Sequence, residues 1–97
     1  MIRGEIWTYQ GLARIRTVLV VSADELNAAG LPMTLEITDV RPTGARAMLA
    51  VPAPGHGHIL IRPVDKADPE RFLNPVDHAT DDTMDAVGMA LRSALDL

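Results

Sequence analysis

The sequence has no cysteine and few aromatic residues. With zero cysteines among 97 residues, disulfides and thiolate metal sites are excluded, a composition typical of a reducing cytoplasm. Only 3% of the residues are aromatic although 47% are hydrophobic, so the core must be built from aliphatic side chains. We therefore expect one cytoplasmic domain over residues 1–97, with a single aliphatic core.

Long apolar segments are also missing. A run such as Val18–Val21 is far shorter than the ~20 residues of a membrane-spanning helix. The opening MIRGEIWT lacks the apolar stretch of a signal peptide. We therefore expect no membrane partner.

Positive charge is scarce and unevenly distributed. The formal net charge is −4; residues 1–50 hold five arginines and five acids, whereas residues 51–97 hold four basic and eight acidic residues. Proteins that bind nucleic acid are usually basic overall. A polyanion would therefore need a local cluster of cations, for which the N-terminal half is the candidate. The alternative is that these arginines are ordinary solvated charges.

Strand patterns dominate the chain. Strands are predicted over residues 2–9, 15–22 and 33–40, where apolar residues alternate or run unbroken, and over the shorter segments 47–51, 58–61 and 74–76. A long helix comes last, and strands and helices do not alternate as in βαβ units. This order predicts a mainly β (α+β) fold, a curved antiparallel sheet or small barrel with a C-terminal helix packed on it.

Three helical segments are predicted. The spacing of Ser22 and Glu25 fits a capping box for a short helix over residues 23–29. Residues 65–72 resemble a helical turn, and Thr80 is a typical N-cap for the last helix. That helix is amphipathic, because apolar residues recur at helical spacing at Met84, Val87, Leu91, Ala94 and Leu95.

Two histidines, His56 and His58, are separated by one glycine in the loop PAPGHG and the strand after it. Such a pair can share one face of a strand and bind a metal. No third histidine or carboxylate follows at a fixed spacing, so we expect no metal site. Asp81, Asp82 and Asp85 are better explained as negative charge at the start of a helix.

The stretches RGEIW, RTVLVVS and EITDV, followed by DKADPERF and DDTMDAVGMALRSAL, resemble the MazF/PemK toxins of bacterial toxin–antitoxin systems. The resemblance implies a small SH3-like barrel, a homodimer, and a sequence-selective endoribonuclease that cleaves single-stranded RNA without a metal or other cofactor. The products would carry 2′,3′-cyclic phosphate and 5′-hydroxyl ends. It also implies a cognate antitoxin, whose acidic tail occupies the RNA groove. The toxin would contact operator DNA only through this antitoxin.

The resemblance assigns catalytic roles to Arg16 and Thr38. The family arginine opens a strand Arg-Pro-Val-Leu-Val, matched by residues 16–20, and the family threonine closes an Ile-Thr pair, matched by residues 37–38. Arg14 lies two residues before Arg16, on the same side of a regular strand, and would follow the RNA backbone. Gln10, Thr17 (at the family's proline position) and His56 complete the predicted RNA-binding residues.

These residue types suit the self-cleavage chemistry of RNA, in which a 2′-hydroxyl attacks the neighbouring phosphorus. A protein assists by aligning the groups, neutralising charge on the phosphorane and moving protons. The planar fork of an arginine can bond two phosphate oxygens at once. A histidine such as His56 can act as acid or base at neutral pH.

Two other functions remain open. The first loop is shorter than in the family and lacks its Gly-Ser-Glu-Gln stretch, and the chain is acidic. Both features fit a degenerate toxin, a non-enzymatic interaction module that binds only its antitoxin as a co-repressor. A CcdB-like gyrase poison would use a tryptophan near its C-terminus, whereas the single tryptophan here is Trp7.

Overall fold

The computed structural model describes residues 1–44, 49–62 and 64–96 and shows strands first and a long helix last. The elements are β1 (Glu5–Gln10), β2 (Ile15–Val20), α1 (Asp24–Ala28), β3 (Met33–Thr38), β4 (Ala50–Ala53), β5 (Gly57–Leu60), β6 (Asp65–Lys66), β7 (Phe72–His78) and α2 (Asp81–Leu95). A 3₁₀ turn over Pro69–Arg71 leads into β7. The mainly β fold with a C-terminal helix is therefore confirmed.

The strands form one antiparallel sheet in the order β4-β5-β3-β2-β1-β7, and β6 also pairs with β3. The sheet curves until its two ends meet. His56, in the turn between β4 and β5, places Nε2 2.7 Å from Oδ2 of Asp77 in β7. The turn that follows one edge strand, β4, therefore contacts the other edge strand, β7, and the predicted curved antiparallel sheet is confirmed.

The core lies between the concave face of the sheet and α2. Leu19, Leu35 and Ile59 are fully buried there, and α2 contributes Met84 and Val87. The aromatic residues lie outside this cluster, where the ring of Phe72 meets those of Trp7 and Tyr9 edge-on, at centroid distances of 5.6 and 5.2 Å. The prediction of an aliphatic core is confirmed.

The long helix α2 begins where its sequence indicates. Thr80 is the N-cap, and its Oγ1 accepts a hydrogen bond from the N–H of Thr83 at 3.2 Å. Such a cap satisfies one of the free N–H groups of the first turn. Within the described residues, no helix has both the length and the apolar character needed to cross a membrane.

The predicted capping box at α1 is wrong. The N-cap is Ala23, which makes no side-chain capping hydrogen bond. Ser22 is buried instead, and its Oγ accepts a hydrogen bond from the N–H of Met33 at 3.0 Å and donates to Asn27. The serine oxygen is therefore used to hold the loop between α1 and β3, a long-range demand that outweighs the local capping motif.

Two other boundaries also differ from the sequence-based expectation. The predicted helical segment 65–72 is helical only in the 3₁₀ turn at Pro69–Arg71. Its first two residues form β6, and its last residue, Phe72, begins β7. The predicted strand 74–76 extends over the whole of β7. The start of the predicted strand 47–51 lies outside the described residues. The observed strand in this part of the chain is β4, which begins at Ala50.

Candidate active site

Arg16 and Thr38 lie on neighbouring strands, on the outer face of the sheet, which is the face opposite the core. In the register of β2 and β3, Thr17 pairs with Ile37, and Ile37 belongs to the core. Because side chains alternate along a strand, Arg16 and Thr38 point to the outer face. Continuing the register by one residue sets them opposite each other.

The same alternation places Thr17 on the core side of β2. The structure therefore does not bring Thr17 together with Arg16, although both belong to the set of site residues predicted from the sequence. Its position between Thr8 of β1 and Ile37 of β3 is that of a residue lining the inside of the sheet.

The hydroxyl of Thr38 has a defined orientation. Its Oγ1 accepts a hydrogen bond from the N–H of Val40 at 3.1 Å. A hydroxyl has one hydrogen to donate as well as its acceptor lone pairs. The side chain is half-buried at the end of β3, so its O–H can be directed towards a group bound on the outer face.

Three arginines surround a single carboxylate, that of Glu36. Its Oε1 lies 3.5 Å from Nη2 of Arg14 and 3.4 Å from Nε of Arg16, and its Oε2 lies 3.7 Å from Nη2 of Arg62. We call these four residues the arginine cluster. The prediction that Arg14 and Arg16 point to the same side of β2 is confirmed by their shared contact.

Glu36 and Arg62 were not singled out from the sequence. Glu36 precedes Thr38 by two residues, so strand alternation alone would have placed it on the outer face beside the catalytic candidates. Its side chain is 12% exposed. Nε of Arg16 is buried and makes no hydrogen bond within the described part of the chain, so the carboxylate interacts with this nitrogen by charge alone. The cluster therefore keeps a net positive charge of two.

A cavity of about 230 Å³ opens beside the arginine cluster. Among the described residues, the charged side chains of the lining are Arg16, Glu36, Lys66 and Arg71, so positive charge predominates there; the other described lining residues are Tyr9, Gly11, Leu12, Val18, Thr34 and Ala67. A cavity with an aromatic ring, an apolar floor and cationic walls can hold a nucleobase together with its phosphate. Lys66 and Arg71 were also missed, because they come from distant parts of the chain.

Gly11 controls how Arg16 is placed. A Cβ atom on Gly11 would lie 2.7 Å from the carbonyl oxygen of Arg14 and 3.0 Å from Nε of Arg16. Because Gly11 has no Cβ, the side chain of Arg16 can lie across the hairpin between β1 and β2. Gln10, next to it, is exposed and donates a hydrogen bond from Nε2 to the carbonyl of Gly11 at 3.1 Å, which places it at the edge of the cavity.

His56 lies at a different cavity, of about 60 Å³, which it lines with Asp77, His78 and Thr80 among others. The hydrogen bond with His56, followed by that from the N–H of His78, holds the pKa of Asp77 below its ordinary value. The structure does not bring His56 to Arg16, and its RNA-binding role stays a prediction. Among the described residues, no group of three histidine, aspartate or glutamate side chains is arranged to hold a metal.

Comparison with solved structures identifies the same fold in endoribonucleases. An endoribonuclease in complex with its cognate antitoxin from a Mycobacterial species superposes with a TM-score of 0.88 at 20% identity, covering 100% of this chain and 96% of that one. An endoribonuclease from Mycobacterial species superposes with a TM-score of 0.84 at 22% identity, covering 100% of this chain and 92% of that one. The MazF in a MazE–MazF complex from Deinococcus radiodurans superposes with a TM-score of 0.83 at 22% identity, covering 100% of this chain and 96% of that one.

These similarities come from a comparison of folded structures. No family model and no curated protein matches the sequence. Identities of 20–22% over the whole chain establish a shared architecture and leave the chemistry to be argued from the site. The chain therefore has the fold of MazF and of these endoribonucleases.

Proposed function

We propose that this protein is a cytoplasmic endoribonuclease toxin of the MazF/PemK type, which cleaves single-stranded RNA sequence-selectively and without a metal. The observation that carries the proposal is the placement of Arg16 opposite Thr38 on the outer face, beside a cavity lined by cations. Both residues occupy the strand positions that the sequence resemblance assigns to catalysis, on a fold shared with known endoribonucleases.

In the proposed reaction, the 2′-hydroxyl of one nucleotide attacks the adjacent phosphorus, and the bond to the 5′-oxygen of the next nucleotide breaks. The products are a 2′,3′-cyclic phosphate and a 5′-hydroxyl. The guanidinium of Arg16 binds the non-bridging oxygens, whose charge grows in the transition state. The O–H of Thr38 donates to the same phosphate, since its oxygen is already oriented by Val40.

The arginine cluster and the cavity define a path for the RNA backbone. Arg14, Arg62, Lys66 and Arg71 can contact phosphates on either side of the one held by Arg16. The cavity beside Tyr9 receives a neighbouring base, and Gln10 at its edge can hydrogen-bond to that base. Sequence selectivity then resides in the cavity and affinity in the surrounding cations.

The antitoxin would compete with RNA for the same surface, whereas a second copy of the chain would bind at a different cavity. An acidic antitoxin segment matches the cations of the RNA path and would block it. A second cavity, of about 310 Å³, shares Arg62 with the arginine cluster but is otherwise apolar. It lies between the end of α2 and the sheet and is lined by Leu49, Ile61, Arg62, Val64, Leu91, Ala94 and Leu95. Its apolar character does not suit an acidic segment, so we assign it to the homodimer contact.

The test is cleavage of a long unstructured RNA in excess EDTA, with the ends mapped by primer extension. We expect the unchanged protein to cut the RNA at discrete positions. The cleavage rate should fall by about 10²–10³-fold in Arg16→Ala and in Thr38→Ala. Arg92→Ala removes an exposed arginine from α2 and is the matched control. Cleavage that persists in Arg16→Ala, or that requires an added metal, would contradict the proposal.

One observation favours the interaction module as a second candidate. Glu36 already lies against all three guanidiniums of the arginine cluster, which lowers the positive charge available to RNA. A module of this kind would bind its antitoxin tightly and leave RNA intact at high protein concentration. The gyrase-poison alternative gains no such support, because Trp7 packs against Phe72 within the sheet.

A further inference from the structure

His58 lies beside the two proposed catalytic residues. In the register of β3 and β5, Thr38 pairs with His58 and Ile37 pairs with Ile59. Ile37 and Ile59 both belong to the core, so alternation directs Thr38 and His58 to the outer face. Arg16, Thr38 and His58 therefore form a row across the adjacent strands β2, β3 and β5.

The imidazole of His58 has an unused nitrogen. The residue is half-buried, and its Nδ1 is enclosed without a hydrogen-bond partner among the described residues. The other two histidines are engaged: His56 contacts Asp77 at 2.7 Å, and Nδ1 of His78 lies 2.8 Å from the carbonyl oxygen of Ala79. A buried polar atom without a partner in a native structure is uncommon and calls for an explanation, of which a catalytic role is one.

The backbone next to His58 is held tightly against β3. Gly57 has a φ of +100°, and a Cβ at this position would overlap the carbonyl oxygen of Thr38. A close approach of this kind requires glycine. It fixes the distance between β5 and the end of β3 at the point where His58 and Thr38 face each other.

We propose that His58 is the general base of the RNA cleavage reaction, an inference that rests on the proposed endoribonuclease function. Strands lie about 4.8 Å apart, so Arg16 and His58 flank Thr38 at about 10 Å from each other. In-line displacement needs the attacking 2′-oxygen and the departing 5′-oxygen on opposite sides of the phosphorus. The row supplies a base on one side and a guanidinium on the other.

The step balances without a further reactant. The 2′-hydroxyl transfers its proton to an imidazole nitrogen of His58 as its oxygen bonds to phosphorus and the bond from phosphorus to the 5′-oxygen breaks. A water molecule protonates the departing 5′-oxygen. The resulting hydroxide takes the proton from the imidazolium, which restores neutral His58.

Glu36 is less suited to this role. Both of its oxygens lie within 3.7 Å of guanidinium nitrogens, so taking up a proton would cost it those ion pairs.

The experiment compares single-turnover cleavage by the unchanged protein, His58→Gln and the control His78→Gln across pH 5–9. We expect the unchanged protein and the control to show a rate that rises through the neutral range. In His58→Gln the rate falls about 10²-fold or more and loses that rise, while binding of a 2′-deoxy analogue of the cleaved site changes less than about threefold. Added imidazole should partly restore cleavage by His58→Ala.

A measurement on the unchanged protein keeps the test valid even where the variants fold poorly. The imidazole resonance of His58, followed by NMR, should change over the same pH range as the cleavage rate and shift when the 2′-deoxy analogue binds. Cleavage by His58→Gln at the unchanged rate, or a pH profile independent of that resonance, would overturn the role of His58 and leave the endoribonuclease function standing. Absence of cleavage by the unchanged protein would overturn both.

Discussion

The carboxylate of Glu36 should stabilise the fold and weaken RNA binding, so Glu36→Gln should move the two properties in opposite directions. Each contact with a guanidinium nitrogen is 3.4–3.7 Å long, and the gross attraction at such a distance is about 5 kcal/mol at an effective dielectric constant of 20. The side chains of Arg14, Arg16 and Arg62 are 65%, 38% and 44% exposed. Solvent screening and side-chain entropy therefore reduce each pair to about 0.2–1 kcal/mol net.

We expect Glu36→Gln to lower the free energy of unfolding by about 1–2 kcal/mol, the sum over the three pairs. A phosphate held by Arg16 would lie about 6 Å from Glu36, where the repulsion amounts to about 1.4 kcal/mol at a dielectric constant near 40. Removing that repulsion should tighten RNA binding about tenfold. The affinity should also depend more steeply on salt, since the freed guanidiniums can bind phosphate.

The assays are urea unfolding and fluorescence anisotropy with a 2′-deoxy-substituted oligonucleotide at several salt concentrations. Glu25→Gln, on the exposed surface of α1, removes the same charge from a residue that is not ion-paired within the described part of the chain, and should change neither property by more than about 0.5 kcal/mol. Weaker RNA binding by a folded Glu36→Gln protein would refute the reasoning. The carboxylate would then be needed to hold the guanidiniums in a binding geometry.

Three further predictions concern other parts of the molecule. Arg16→Lys keeps the charge and loses the planar fork, so single-turnover cleavage should fall about 10²-fold while RNA affinity changes less than about threefold. Gly57→Ala combines a positive φ with overlap of the Thr38 carbonyl and should cost about 2–4 kcal/mol in urea unfolding; Gly55→Ala, with φ +81° and open space around it, should cost about 1–2 kcal/mol from backbone strain alone. His56→Ala should raise the pKa of Asp77 towards its ordinary 3.8, as followed by NMR. Because that pKa is lowered in the folded state, the contribution of Asp77 to stability is present above the unfolded pKa and is lost as the pH falls through the folded value.

Local patterns predicted those features that depend on local structure. Thr80 caps α2 because its hydroxyl and the N–H of Thr83 are three residues apart, and Arg14 and Arg16 point to one side because a strand alternates. Ser22 shows the limit of such patterns. Its spacing from Glu25 fits a capping box, yet the oxygen serves the N–H of Met33, a partner that only the folded chain brings near.

The part of the site that the sequence did not predict depends on which strands become neighbours. His58 is 20 positions after Thr38, and nothing in the intervening residues indicates that β5 pairs with β3 on the side opposite β2. Gly57 lies so close to the backbone of Thr38 that a Cβ would overlap its carbonyl oxygen, and sequence periodicity does not indicate such a close approach. Lys66 and Arg71 reach the cavity through the same non-local assembly.

The acidity of the chain has a consequence for how the proposed site would recognise RNA. With a net charge of −4, the protein as a whole repels a polyanion, so long-range attraction cannot hold RNA in arbitrary positions. Binding has to come from short-range contacts in the arginine cluster and the cavity, where Arg14, Arg16, Arg62, Lys66 and Arg71 outnumber Glu36. In the proposed function, an RNA segment would bind stably only where its phosphates and a base both fit, so it would be bound selectively. Glu36 would then favour specificity over affinity, and an acidic protein segment that pairs with the same cations would compete with RNA directly.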